Sequence, residues 1–492
     1  MFTAPRLSAA LLPALPGAVR RPGYDRAALR TGIVHLGLGA FHRAHQAVYT
    51  EDRLEAGERD WAISGLSLRS PAVRNALAPQ DGLYTVLTRA PGGDEARIVG
   101  SVTEALTVPE QPELALRRMA APATRIIGLT VTEKAYCRDA GGALDEAHPD
   151  IRADLTGEGF PRSVPGLLAA ALRARADSGA GAVTLMTCDN LPDNGGTLAR
   201  VLARFVALRD PGLAGWMADH VRCPATMVDR IVPATTEAER EAVMALGYAD
   251  AWPVVAEPFS QWVVEDRFAA GRPRWEEAGA LMVAEVQAFE LMKLRCLNGA
   301  HSSLAYLGAL AGIATVSEAM AEPLLAAFLQ RLWTRDIIPT LPPVPGIDLP
   351  AYTAQLEARF RNPAIRHRLL QIAMDGSQKL PQRLLRPAAE RLAQGEVPRA
   401  IALAVAAWMH FLLGEDEAGG SHAIDDPMGA RLADVARAAG RDANALSAAL
   451  FALPEIFEPA LAAHAGFRAA VRDALALLLR DGVRPALRAA LS

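Results

Sequence analysis

Apolar residues follow two different rhythms along this chain. Up to about residue 285, short apolar runs alternate with helical stretches. Thr31–Leu36 reads as one strand, Trp61–Leu68 as a second, Thr124–Leu129 as a third and Gly181–Met186 as a fourth. Between them, apolar positions recur at helical spacing, as in Ala44–Leu54 and Val164–Arg175. Strands alternating with helices predict a parallel sheet with crossover helices. After residue 285 the helical rhythm dominates, over Phe289–Leu310, Val316–Trp333, Leu384–Ala393, Arg399–Leu413 and Pro427–Ala438. Residues 1–30, with Pro13, Pro16 and Pro22, read as an irregular arm, and Pro339–Gly346 as a loop within the helical half. The expected class is α/β followed by all-α, with domains at 1–285 and 286–492.

Composition narrows the function. The 492 residues favour two domains over one. A hydrophobic share of 51% and a charged share of 22% are those of a globular protein. A net charge of −4 gives no electrostatic case for nucleic acid or an anionic membrane. Cys137, Cys188, Cys223 and Cys296 form no CxxC pair, which fits a reducing cytoplasm and argues against a structural zinc. The first 30 residues hold no continuous apolar core, so no signal peptide is expected. The most apolar run, near Ala400–Gly414, is too short to span a bilayer and includes His410, so it reads as a buried helix.

Two segments carry candidate chemistry. Gly37-Leu38-Gly39-Ala40-Phe41 lies between the first strand and a helix, where glycines allow a tight turn and let backbone N–H groups approach a pyrophosphate. That context predicts a Rossmann-type dinucleotide-binding domain, although His42 replaces the third glycine of GxGxxG. The second strand ends Leu68-Arg69-Ser70-Pro71 without the carboxylate that holds a ribose 2′-hydroxyl. Arg69 faces either the adenine or a 2′-phosphate, which leaves NAD against NADP open. His42 and His45 lie three apart on one helix, but no Cys or third ligand accompanies them, so no metal is expected.

The other segment is Lys293-Leu-Arg-Cys-Leu-Asn298-Gly-Ala-His301. At about 100° per residue, Lys293, Asn298 and His301 fall within roughly 140° of arc, and Glu290 falls inside it. One helix face then presents an amine, an amide, an imidazole and a carboxylate. Alcohol–carbonyl redox chemistry without a metal needs such a set, because a base takes the hydroxyl proton while donors hold the oxygen.

With these pieces placed, the chain resembles the mannitol dehydrogenase family of long-chain polyol-specific dehydrogenases and reductases from about residue 30 to 480. The segments that carry the resemblance are Gly37–Gln46, Leu129–Cys137, Cys188-Asp-Asn190-Leu-Pro, Met227-Val-Asp229-Arg230-Ile-Val-Pro233, Glu257-Pro-Phe-x-Gln-Trp262 and Lys293-x4-Asn298-Gly-x-His301. The resemblance implies a Rossmann-type N-terminal domain, a mostly helical C-terminal domain and a site to which both contribute. It implies Lys293 as general base or acid, with Asn190, Asn298 and His301 holding the reacting oxygen and its neighbours. It places Asp229 and Lys379 at the substrate and Glu290 on a proton path. To accept a proton, Lys293 must be neutral, which requires lowering from about 10.4 by burial or a nearby cation.

Members of this family act on polyols such as mannitol or arabinitol, or on hexuronates. The stretch Arg366–Arg383 resembles the fructuronate reductase branch, which interconverts D-fructuronate and D-mannonate. Gln371 stands where mannitol-active members tend to have arginine, and the stretch ends Lys379-Leu-Pro-Gln-Arg383. A uronate brings a carboxylate for which an arginine fork is the expected partner. Arg366, Arg368 and Arg383 are the candidates. The expected substrate is a small sugar acid, with a polyol as the alternative. The expected cofactor is NAD, with NADP still open.

Overall fold

The computed structural model describes residues 4–139, 141–157 and 159–492. The chain divides into two compact units between Gln287 and Ala288. The first is built on a six-stranded, all-parallel sheet: β1 (Thr31–Leu36), β2 (Ala62–Ser67), β3 (Val102–Thr107), β4 (Ile126–Leu129), β5 (Val183–Thr187) and β6 (Val221–Arg222). Their spatial order is 3-2-1-4-5-6, that of the Rossmann fold, so the order reverses between β1 and β4. In register, Leu36 lies beside Leu66 on one side and Leu129 on the other.

Both faces of this sheet are covered, which is why apolar residues point to both sides of its strands, as Ile33 and Val34 do in β1. Val34, Leu36, Ile127, Leu129 and Leu185 pack with helices α3 (Pro112–Ala120), α4 (Val164–Ser178) and α5 (Asn194–Arg209). Ile33, Ile63 and Ile126 pack on the opposite face with α1 (Ala40–Ala44) and α2 (Gln46–Glu55). The helix expected over Ala44–Leu54 is α2, which starts at Gln46 because the backbone of His45 (φ −126°, ψ −92°) is not helical and separates it from the short α1. The arm is also more ordered than expected: Ala9–Ala14 forms a 3₁₀ turn, and Leu7, Leu15 and Val19 are buried.

Two smaller sheets complete the first unit. One joins Val19–Arg20, Glu95–Val99, Tyr84–Thr88 and Val254–Ala256, and the other joins Thr226–Asp229, Gln261–Glu265 and Leu281–Val283. The second unit is helical. Its centre holds α7 (Gly299–Leu310), buried along its whole length, packed on α10 (Arg399–Phe411), which packs in turn on α11 (Ala465–Asp481). α6 (Gln287–Met292) leads into α7; α8 is Leu349–Phe360 and α9 is Arg386–Ala393. The apolar run at 400–411 is the buried helix expected; within it His410 is buried and held at about 4 by desolvation. No helix among the described residues is long and apolar enough to cross a membrane. The helix expected over Val316–Trp333 is broken at Glu322, because Pro323 begins a new helix and supplies no N–H to continue the old one.

Candidate active site

At the end of β1, Gly37 adopts φ +94°, and a Cβ there would lie 2.0 Å from the Thr130 carbonyl oxygen. Only glycine fits where the chain leaving β1 passes the chain leaving β4. Leu38 turns inward over β2, where its methyl carbons would lie 2.7 Å from a Cβ on Gly65. Gly39 precedes α1 with extended backbone, and a Cβ on it would meet nothing within 4 Å. The first turn of α1, which begins Ala40-Phe41, holds no acid. An open approach to helix N–H groups, at the point where strand order reverses, fits a pyrophosphate. Arg69 is exposed two residues beyond the end of β2.

His42, in place of the third glycine, is buried and stacked on His35 with ring centroids 3.5 Å apart. Burial holds His42 down to about 3 and His35 well below 6.5. His45 stacks on Phe41, and its Nε2 lies 2.9 Å from the Gln261 carbonyl. A histidine depressed in the folded state is protonated first in the unfolded chain. Stability is therefore lost as pH falls from about 6.5 toward the folded value. In urea denaturation, His42→Asn should flatten that acid-side loss by up to about 1.4 kcal/mol per pH unit. Equal slopes in variant and wild type would remove His42 from the account.

The end of β5 carries Cys188-Asp189-Asn190. The Asp189 carboxylate accepts from Val131 N and Thr132 N at 3.0 Å and from the Tyr136 hydroxyl at 2.7 Å. It pins the loop after β4, where Thr132 has φ +73°, a costly conformation for a β-branched residue. The sequence reading missed this role, because it depends on two strand ends lying side by side. Asn190 is exposed at that edge. Asp229 is buried at the end of its strand, paired in register with Gln261. The adjacent Arg230 donates to the carbonyls of Ala44 and Glu257, while Ile231 N donates to Glu257 Oε1 at 2.7 Å. Three of the sequence segments are thereby tied together.

In the second unit, the helix carrying Lys293 is not a regular α-helix. Lys293–Asn298 forms a π-turn between α6 and α7, with Gly299 N–H donating to Leu294 O. A π-turn inserts one residue, so residue i+5 takes the place that i+4 has in an α-helix. At about 100° per remaining step, Asn298 then sits roughly 40° from Lys293 and His301 roughly 20° on its other side. With Glu290 at roughly 60°, the arc narrows from the expected 140° to roughly 80°. Lys293, Asn298 and His301 are all buried, and Glu290 is half-buried.

The His301 ring stacks on Phe360 at 4.5 Å and meets His367 edge-on at 5.2 Å. Its Nε2 is buried without a hydrogen-bond partner in the protein. Burial first, and then repulsion from His367 and from the positive charges of Arg359, Arg383 and Lys293, holds His301 well below 6.5. The imidazole is therefore neutral near pH 7. Arg383 donates from Nη1 to the Ser302 hydroxyl at 3.1 Å. Lys379 donates to the Met374 carbonyl at 2.6 Å and lies 3.7 Å from the Asp375 carboxylate. Arg366 and Arg368 are exposed. Arg359, Phe360 and His367 were not foreseen; they reach His301 from about sixty residues away in sequence, and no spacing rule reports that.

The Mannitol dehydrogenase Rossmann domain matches residues 31–277, and the Mannitol dehydrogenase C-terminal domain matches residues 285–479. The chain is 44% identical to the D-mannonate oxidoreductase of Escherichia coli K12 over 481 residues, spanning 96% of this chain and 98% of that protein. It is 42% identical to a mannitol 2-dehydrogenase of Cereibacter sphaeroides over 474 residues, again spanning 96% and 98%. Among solved structures it is similar to Pseudomonas fluorescens mannitol 2-dehydrogenase in ternary complex with NAD and D-mannitol. That match has a TM-score of 0.90 and 39% identity, covering 99% of each chain.

Proposed function

Because the chain belongs to the mannitol dehydrogenase family of oxidoreductases, we propose that it interconverts D-fructuronate and D-mannonate with NAD as cofactor. The observation that carries the choice of a sugar acid is the charge around His301. Arg359, Arg383 and Lys293 each place positive charge against this imidazole. A hexuronate carboxylate is stabilised in such surroundings, whereas a neutral polyol gains nothing from them. Arg383 is the better candidate for the carboxylate partner, since it lies beside Ser302, the neighbour of His301 on α7. Arg366, exposed, is assigned to the sugar acid's outer end.

Bound NAD supplies or accepts the hydride at the carbinol carbon. Gly37, Leu38, Gly39, Ala40 and Phe41 would hold its pyrophosphate turn, and Arg69 its adenosine end. In reduction, the Lys293 ammonium gives its proton to the alkoxide oxygen that forms as the carbonyl carbon takes the hydride. In oxidation, the neutral Lys293 amine takes the hydroxyl proton. The Asn298 and Asn190 amides donate to that oxygen as its charge grows. Neutral His301, with Nε2 turned to no protein group, holds the same oxygen or a neighbouring hydroxyl. Asp229 and Lys379 contact the substrate's other hydroxyls, and Glu290, one turn before Lys293, passes the proton toward solvent.

The test is NADH oxidation by the purified protein with D-fructuronate and D-fructose offered in parallel. The proposal requires kcat/KM for fructuronate to exceed that for fructose by at least about tenfold, the effect of roughly 1.4 kcal/mol from a paired carboxylate. Preference for fructose would move the chain to the polyol side of the family and leave Arg383 a structural group.

A further inference from the structure

The turn that bears Lys293 is one of three π-turns in the second unit. The others are Leu332–Ile337, where Ile338 N–H donates to Trp333 O, and Pro381–Leu385, where Arg386 N–H donates to Pro381 O. An inserted residue breaks the α-helical ladder and leaves carbonyls that need donors from elsewhere. Here the other two π-turns supply them. Trp333 Nε1 donates to the Cys296 carbonyl at 2.8 Å, and Arg383 Nη1 reaches the Asn298 carbonyl at 3.5 Å.

The first turn binds back to the other two. Arg295, buried on the face away from Lys293, donates to the Thr340 carbonyl at 2.7 Å, just beyond the second π-turn. It also makes a two-pronged pair with Glu390 at 2.5 and 2.7 Å, on α9 just beyond the third. The turns pass in backbone contact: a Cβ on Gly299 would lie 3.2 Å from the Arg383 carbonyl oxygen. A π-turn standing alone would tend to relax to the α-helical register, which has the better ladder. In that register Lys293 and Asn298 would stand roughly 140° apart rather than roughly 40°.

The geometry points to Trp333 and Arg295 as positioning residues that hold the π register and so bring Lys293 and Asn298 onto one oxygen. Neither touches the reacting atoms; both act through the turn. This inference rests on the catalytic role proposed for Lys293, so its test includes a readout that needs no substrate. The chain contains three lysines, Lys134, Lys293 and Lys379. Full-length protein grown with ¹³C-labelled lysine therefore gives three side-chain signals, and loss of one in Lys293→Arg assigns it.

Trp333→Phe keeps an aromatic ring and removes the donor. We expect its kcat to fall on the order of 10- to 100-fold, the cost of an ångström-scale misplacement, with NADH affinity unchanged. We also expect the titration midpoint of the Lys293 signal to move. A lower melting temperature with wild-type kcat, or with an unmoved Lys293 midpoint, would overturn the inference. If Trp333→Phe does not fold, Arg295→Lys, which keeps the charge but loses the fork, is read by the same two criteria. If the wild-type protein turns over neither fructuronate nor fructose, the proposed function fails by itself and the lysine titration alone decides this inference.

Discussion

Lys293→Ala is expected to lower turnover at least about 10²-fold, the low end of what a positioned general acid or base contributes, while NADH binds as before. The expectation rests on burial and on the π-turn. Lys293 lies inside the second unit, on one narrow arc with Asn298 and His301, and its positive charge is among those felt by the buried imidazole. Losing the amine removes the proton donor without touching the glycine turn at the end of β1. Cofactor affinity and chemistry should therefore separate. Asn298→Ala should slow single-turnover hydride transfer through loss of a donor to the forming alkoxide, by roughly 2.7–4 kcal/mol, the cost of removing one such donor. Wild-type turnover in Lys293→Ala would end the assignment of Lys293.

The second large effect is a contrast between two glycines two residues apart. Gly37→Ala places a Cβ 2.0 Å from the Thr130 carbonyl oxygen, at φ +94°. The backbone conformation alone costs about 1–3 kcal/mol for an L-residue, and the backbone contact adds a displacement of β1 against β4. Urea denaturation should show a fold weakened by at least that much. Gly39→Ala is different in kind. Its φ of −77° suits any residue, and the added methyl meets no protein atom within 4 Å. Its stability should stay within about 0.5 kcal/mol of wild type, as at an unstrained surface position. Its NADH affinity should fall, because the methyl projects where the pyrophosphate must approach. Unchanged NADH affinity in a stable Gly39→Ala protein would mean that the turn does not face the cofactor.

Much of the first unit was legible in sequence because its strands are buried on both faces. Thr31–Leu36 gathers Ile33, Val34 and Leu36 in a short run, and the observed strand has the same bounds. Strand order was not legible; it follows from how crossover helices pack, and Val102–Thr107 carries Thr103 and Glu104, which break the apolar run. The sheet holding Tyr84–Thr88 and Glu95–Val99 escaped notice because its strands are short and Glu95–Val99 begins with the exposed Glu95. The face of the Lys293 helix was legible only as a wide arc. Periodicity presumes a constant advance per residue, and an inserted residue leaves no mark in composition. The π-turn is held by Trp333, Arg383 and Glu390, from 40 to nearly 100 positions away, so its cause lies outside the window in which a helix is read. Lys293, Asn298 and His301 were found because a local motif names them; Arg359 and His367 were not, because only tertiary packing brings them to His301.

The central claim is that Lys293 moves the proton that accompanies hydride transfer. The most direct measurement is the pH dependence of kcat for ketone reduction, from about pH 6 to about pH 10, in wild type and in Lys293→Met, whose side chain fills a similar volume without ionising. Wild-type kcat is expected to fall toward high pH as Lys293 loses its proton, and the variant to be slower by at least about 10²-fold with that inflection gone. An inflection at the same pH in Lys293→Met would show that another group carries the proton and would contradict the account.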